Sequence, residues 1–371
     1  MTKLKFKGAD RLVGSRHQGS GGMSNASTSH IGLVWGDAFM VAVLAAVMVA
    51  TLSRHSDFAT TTVINFGLFT LLAASLQLML GFTNQASLTQ AGVYGVGAYV
   101  SIYVETKLHV PIGVALVAAV LAGALMGLLF SLPLRRLREH FLAMATLAAQ
   151  VILSTAFTHL NGLTGGINGE VAPAAHLNSV PMLAILLAVS CLVLVGLSHL
   201  RVSRFGRQLL ALKVDETMAS SVGIDVGRLR IAVVVVAFAI AAGAGFMLTE
   251  TSAFIAPENF TLTTSLAVLV AVVLGGRSLR WGTLVGAGVY SALVAETTSF
   301  PGLSTIIIGV ALVVILGYAP GGLTGLQPAK WAKSIRVRLG TSAGVAPSNE
   351  PEVQLFEASD RRAPEPGVVA K

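Results

Sequence analysis

Apolar runs alternate with short polar intervals along the chain, and the runs recur at close to the length of a bilayer crossing. About 20 mainly apolar residues span a hydrocarbon core as a helix. Ten runs meet or approach that measure: Ile31–Leu52, Thr60–Leu80, Ala86–Val104, Ile112–Leu134, Phe141–Leu160, Val180–Leu200, Ile231–Thr251, Leu262–Leu274, Gly282–Glu296 and Leu303–Tyr318. The pattern predicts an all-α polytopic membrane protein with about ten transmembrane helices. Two of the runs are short, and the number becomes eight if Leu262–Glu296 is re-entrant. Re-entry would carry Arg277 and Arg280 toward mid-bilayer depth at about 2.5 kcal/mol or more each. That cost favours ten.

The longest polar interval, residues 201–230, reads RVSRFGRQLLALKVDETMASSVGIDVGRLR. Phe205, Leu209 and Leu212 recur at helical spacing, which gives a basic helix one apolar stripe. Asp215 can cap a second short helix reaching Val222, and Gly223 supplies its stop. Helices this short are marginal alone in water and need a surface. With membrane on both flanks, and small side chains at Ala211, Ala219, Ser220 and Ser221 expected on the surface, the segment predicts a docking element for a cytoplasmic partner. An ordinary solvated loop is the alternative.

Composition supports the membrane reading. Hydrophobic residues make up 54% of the 371 and charged ones 11%, against about 25% charged in soluble domains. Mean hydropathy is +0.77. The net charge of +8 would suggest nucleic acid in a soluble chain, but its distribution argues for lipid instead and for no nucleic-acid partner. With a cytoplasmic N-terminus, 23 of the 25 Lys and Arg fall on the cytoplasmic side, including Arg135, Arg136, Arg138, Arg277 and Arg280, and only Arg54 and Lys107 on the other. The positive-inside rule therefore places both termini in the cytoplasm. Residues 1–30 read as a disordered basic arm, 31–326 as the transmembrane domain, and 327–371 as a largely disordered tail. The first run is too long for a signal-peptide core and lacks a clean cleavage site.

Candidate chemistry is sparse. Cys191 is the single cysteine, which excludes a disulfide framework or cysteine metal site and suits a small buried hydrophobe. Glu250 and Glu296 lie near outer span ends, and His140, His159 and His199 near span termini, all read as interface residues. No acid–histidine relay runs through the spans, which weighs against a proton- or sodium-coupled carrier. No GxxxxGK[ST] loop is present, so this chain is expected to bind no cofactor, and any ATP must sit on another chain. No nucleophile–base pair or metal constellation points to an enzyme. The pairs Gly123–Gly127 and Gly282–Gly286, with Gly92, Gly95 and Gly97 and with Gly243 and Gly245, offer close helix packing. Gln85, Ser87, Thr89 and Gln90 place polar groups in an otherwise apolar span. They are candidates for lining a solute path, with interhelical hydrogen bonding as the competing role.

Four stretches resemble the permease subunits of the branched-chain amino acid ABC transporter family: GFTNQASLTQAGVYGVGAY (Gly81–Tyr99), HFLAMATLAAQVIL with LTGGINGE (His140–Glu170), FGRQLLALKVDETMASSVGID (Phe205–Asp225) followed by IAPENF (Ile255–Phe260) and VVLGG…WGTLVGA (Val272–Ala287), and YAPGGLTGL (Tyr318–Leu326). Their order covers roughly residues 60–326. The resemblance implies a bacterial inner-membrane dimer of such permeases, identical or not, two cytoplasmic ABC ATPase subunits, and an extracytoplasmic substrate-binding protein. It implies import of branched-chain or related amino acids by alternating access, urea and short amides being other solutes of the family. It also implies that Gly206, Arg207, Ala211, Asp215, Glu216, Ala219 and Gly223 seat in a groove on the ATPase. The sequence departs from the family at Thr89 and Gln90 (commonly Gly and His), at Asn168 (commonly Asp), and at Arg277 and Arg280. An ATP-independent carrier or channel for a small polar solute is the competing reading.

Overall fold

The computed structural model describes residues 40–48, 57–134, 139–172, 179–276, 281–297 and 309–310. The arm 1–30, the tail 327–371, most of the first and last predicted spans, and the turns carrying Arg54, Arg135, Arg136, Arg138, Arg277 and Arg280 lie outside these residues, as do the side chains of His140 and Glu296. Contacts group the chain into Met1–Leu326 and Gln327–Lys371, and every element below belongs to the first unit.

The chain is an all-α polytopic membrane protein. A helix over residues 40–48 (α1) is followed by α2 (Asp57–Thr83), α3 (Gln90–Leu108), α4 (Ile112–Leu134), α5 (Glu139–His159), α6 (Asn161–Thr164), α7 (Ser179–Val202), α8 (Arg204–Val214), α9 (Glu216–Ser221), α10 (Val226–Thr251), α11 (Leu262–Gly275) and α12 (Trp281–Thr297). Among the described residues, five stretches are long and apolar enough to cross a membrane: Phe58–Thr83, Ile112–Leu132, Phe141–His159, Pro181–Val202 and Val226–Thr251. Helix α11 has 14 residues and α12 has 17. At about 1.5 Å per residue their described residues reach about 21 and 25 Å, against a core of about 30 Å. They pair antiparallel, with Gly275 against the backbone of Gly282 and Gly286 against that of Ala271.

Helix α10 is the centre of the bundle, flanked by α2, α3 and α4. Lipid tails are as apolar as leucine, so helices in a bilayer associate through close packing rather than through hydrophobic exclusion. Glycine provides that closeness here. A Cβ at position 97 would strike the Ala242 carbonyl on α10, and one at position 245 the Tyr94 carbonyl on α3. The Gly123–Gly127 pair of α4 faces Phe238, Ala242, Val234 and Val235 of the same central helix. On the opposite face of α4, Val114, Val117, Leu121, Leu125, Leu128 and Leu132 are exposed, as suits a surface that meets lipid.

Two features depart from the hydropathy pattern. The predicted span Ala86–Val104 begins as helix only at Gln90, because residues 84–89 are non-helical. Asn84 turns the chain out of α2 with φ 55°, a left-handed conformation that asparagine tolerates better than most residues. Beyond α6, Glu170 and Val171 pair antiparallel with Ile255 and Phe254. That pairing is too short to leave a period-2 signal in the sequence, and it ties the turn after α5 to the segment after α10.

Candidate functional site

The break at residues 84–89 sets the start of α3 inside the bundle, where its first backbone N–H groups lack intrahelical partners. Side chains from distant helices supply them. The Ala91 N–H donates to Ser265 Oγ on α11 at 3.0 Å, and the Gly92 N–H donates to Gln150 Oε1 on α5 at 2.7 Å. Ser265 Oγ in turn donates to Gln150 Oε1 at 3.2 Å, and Gln150 Nε2 donates to the Phe260 carbonyl at 2.8 Å. The rings of Tyr94, Tyr99, Phe157 and Phe260 meet beside this node at centroid separations of 5.1–5.8 Å.

The four sequence candidates for a solute path divide at this point. Thr89 Oγ1 donates to the Thr146 carbonyl at 2.9 Å, and Gln90 Oε1 accepts from Ser75 Oγ at 2.9 Å. Both side chains are fully buried and spent on interhelical hydrogen bonds. Gln85 and Ser87 instead line a cavity of about 20 Å³ with Met79, Phe130, Ser131, Leu142, Thr146, Arg230, Val234 and Phe238. Gln85 is 6% exposed, and its Oε1 has no hydrogen-bond partner. Arg230, which the sequence reading placed only among loop charges, enters the same cavity. Its Nη2 donates to Glu216 Oε2 at 2.9 Å, while its buried Nε has no partner.

The segment between α7 and α10 is built by local capping. Ser203 accepts from the Gly206 N–H and starts α8. Asp215 accepts from Thr217 and Met218 and starts α9, and Asp225 accepts from Arg228 and starts α10. Gly223, at φ 82°, ends α9. Its N–H donates to the Ser220 carbonyl and that of Ile224 to the Ala219 carbonyl, the double closure of a Schellman motif. Leu209 and Leu212 are buried and Phe205 packs beside them, so the apolar stripe of α8 lies on the bundle. Lys213 Nζ donates to the Gly81 carbonyl at 2.8 Å, joining α8 to the last turn of α2 just before the break.

The candidate docking residues divide as well. Arg207, Ala211, Asp215, Glu216 and Gly223 are exposed. Ala219 is buried, contrary to its expected place on the surface, because α9 sets that side against its own chain. Gly206 is also buried, and a Cβ there would strike the Leu200 carbonyl. Its small size serves the corner between α7 and α8. The sequence reading passed over Val214, Met218 and Val222, which are 87, 69 and 75% exposed. Their spacing of four residues carries no helical signal, because extended Asp215 separates Val214 on α8 from Met218 on α9. Glu250, read as an interface residue, is buried in the last turn of α10.

A family model described as branched-chain amino acid transport system / permease component matches residues 58–316. The chain is 26% identical over 320 residues to the high-affinity branched-chain amino acid transport system permease protein LivM of Escherichia coli, covering 77% of this chain and 74% of that one. It is 26% identical over 304 residues to LivM of Salmonella typhimurium, covering 73% and 70%. It is 25% identical over 221 residues to a probable branched-chain amino acid transport permease protein LivM of Methanocaldococcus jannaschii, covering 54% and 64%. No solved structure matches the chain.

Proposed function

The chain belongs to the branched-chain amino acid transport system permease family, and from that premise we propose that it is the membrane subunit of an ATP-driven importer of branched-chain or related amino acids. The observation that carries this reading is the exposure of three large apolar side chains, Val214, Met218 and Val222, on a capped, membrane-anchored helix pair. Apolar side chains so placed on a polar loop favour a partner protein. The partner is a cytoplasmic ABC ATPase that binds the ATP, so this chain needs no cofactor and catalyses no covalent step. Arg207, Ala211, Asp215, Glu216 and Gly223 are exposed on the same segment, while Gly206 and Ala219 hold its shape from within. A second permease completes the membrane dimer, and an extracytoplasmic binding protein delivers the solute. The protein sits in a bacterial inner membrane with both termini cytoplasmic, as the charge distribution argues.

In this mechanism ATP closes the two ATPases and moves α8 and α9 together. Lys213 carries that motion to the end of α2, and Arg230 to the start of α10. The bundle then changes which side its path opens to. Gln85 and Ser87 stand where that motion arrives.

Purification of the complex tests the proposal. Wild-type protein should bring down an ATPase whose hydrolysis rises with loaded binding protein. Met218→Glu should insert normally and lose the ATPase. Uptake into vesicles without nucleotide, or full ATPase retention by Met218→Glu, overturns the reading.

A further inference from the structure

Most buried polar atoms in proteins have a hydrogen-bond partner, so two unpartnered ones on residues that border one small cavity call for a reason. Gln85 Oε1 is an acceptor, and Arg230 Nε belongs to a cation and donates. The other hydroxyls on the lining are engaged. Ser131 donates to the Leu128 carbonyl, and Thr146 donates to the Ala143 carbonyl while accepting from the Leu88 N–H. Ser87 Oγ accepts from the Thr89 N–H at 3.4 Å. Recognition in this cavity therefore falls to one cationic donor and one amide acceptor, with the Ser87 O–H as a further donor. The remaining walls, Met79, Phe130, Leu142, Val234 and Phe238, are apolar.

We infer that this cavity is the subsite at the coupling-segment end of the bundle that reads the backbone groups of an aliphatic α-amino acid: Arg230 takes the α-carboxylate, Gln85 the α-ammonium, and Met79, Phe130 and Val234 the side chain. The inference rests on the amino-acid permease reading above and adds the residues that select the zwitterion. Guanidinium matches a carboxylate through two parallel N–H groups. Glu216 already engages Nη2, so a solute carboxylate that pairs with the guanidinium competes with it. An uncharged amide would satisfy Gln85 yet offer the guanidinium no anion to take the place of Glu216.

Two further observations say how the subsite works. Its volume of about 20 Å³ holds one water molecule and no more, so the amino acid enters only as the walls part. The break at 84–89 is the wall that can yield, since the Gln85 N–H reaches the Met79 carbonyl at 3.4 Å only. Glu216 belongs to α9, the docking helix. Motion of α9 therefore withdraws or restores a carboxylate that competes with the solute for the same arginine. The solute's exit is tied to the ATPase stroke through Arg230.

Equilibrium binding of labelled L-leucine tests the assignment, using the chain purified with whatever subunits it retains, in lipid nanodiscs and without binding protein. Arg230→Gln should weaken leucine binding about tenfold or more, the value of one charge-assisted hydrogen bond, and Arg230→Lys should weaken it less. Glu216→Gln removes the competing carboxylate without touching the cavity and should strengthen binding. Competition by 4-methylpentanoate, which lacks the ammonium, should depend on Arg230. Competition by 3-methylbutylamine, which lacks the carboxylate, should depend on Gln85 and be reduced in Gln85→Ala. If Arg230→Gln fails to assemble, the opposite effects expected of Glu216→Gln and Gln85→Ala still decide. Leucine binding unchanged by Arg230→Gln, weakened by Glu216→Gln, or absent from the wild-type protein overturns the subsite and leaves a one-water structural cavity. An assembly that keeps its ATPase and ATP-driven uptake under those results leaves the importer reading standing. A chain that retains no ATPase but binds leucine through Arg230 sinks the importer reading alone.

Discussion

Gln150 is fully buried with both ends of its amide in use, accepting from Gly92 and Ser265 and donating to Phe260. Replacing it with leucine would strand the Gly92 N–H, the Ser265 hydroxyl proton and the Phe260 carbonyl at once. Buried groups left unsatisfied cost about 1–3 kcal/mol each, although hydrogen bonds within membranes average nearer 0.6 kcal/mol. Gln150→Leu should therefore destabilise the protein by about 2–4 kcal/mol, read as a lowered melting temperature in detergent, while Gln150→Glu retains the acceptor and loses less. None of this was legible at residue 150. A glutamine in an apolar run announces a polar need but does not say which of many facing groups will meet it. The same ambiguity surrounded Gln85, Ser87, Thr89 and Gln90, four neighbours that the fold assigned to two different tasks.

Elements were more legible where their causes are local. The caps at Asp215 and Gly223 were visible in the sequence because a cap acts within three or four residues. Gly223 allows a clean test, since a Cβ there meets nothing within 4 Å and only its positive φ is at stake. Gly223→Ala should cost about 1–2 kcal/mol and loosen the end of α9, seen as faster amide exchange over residues 216–222 with membrane insertion unchanged. The break before α3 was not legible. Hydropathy averages across residues 84–89 and reports a span, whereas Asn84 and the distant partners of Ala91 and Gly92 decide where helix begins. Ala219 was misplaced for a related reason: spacing shows that one side of α9 faces inward but not which side.

At the scale of the whole molecule, polar side-chain contacts lead from the docking segment into the bundle, among them Lys213 to Gly81 and Arg230 to Glu216. Asp215→Lys combined with Glu216→Lys removes the α9 cap and reverses the charge facing Arg230. It should leave insertion and abundance intact while ATP hydrolysis and amino-acid uptake separate, and wild-type uptake by the double variant would dismiss the segment as a coupling device. By itself the sequence determined that the chain lives in a bilayer, where its long helices run, and which polar interval folds into capped pieces. Those properties follow from composition over about 20 residues and from contacts within a turn. Only the tertiary structure decided that α10 stands at the centre, that α3 starts inside the bundle on groups 58 and 174 residues away, and that Gln85 and Arg230 face one cavity. The physical reason is that a helix face has no address in its own sequence: what it touches depends on which glycines let which backbones approach.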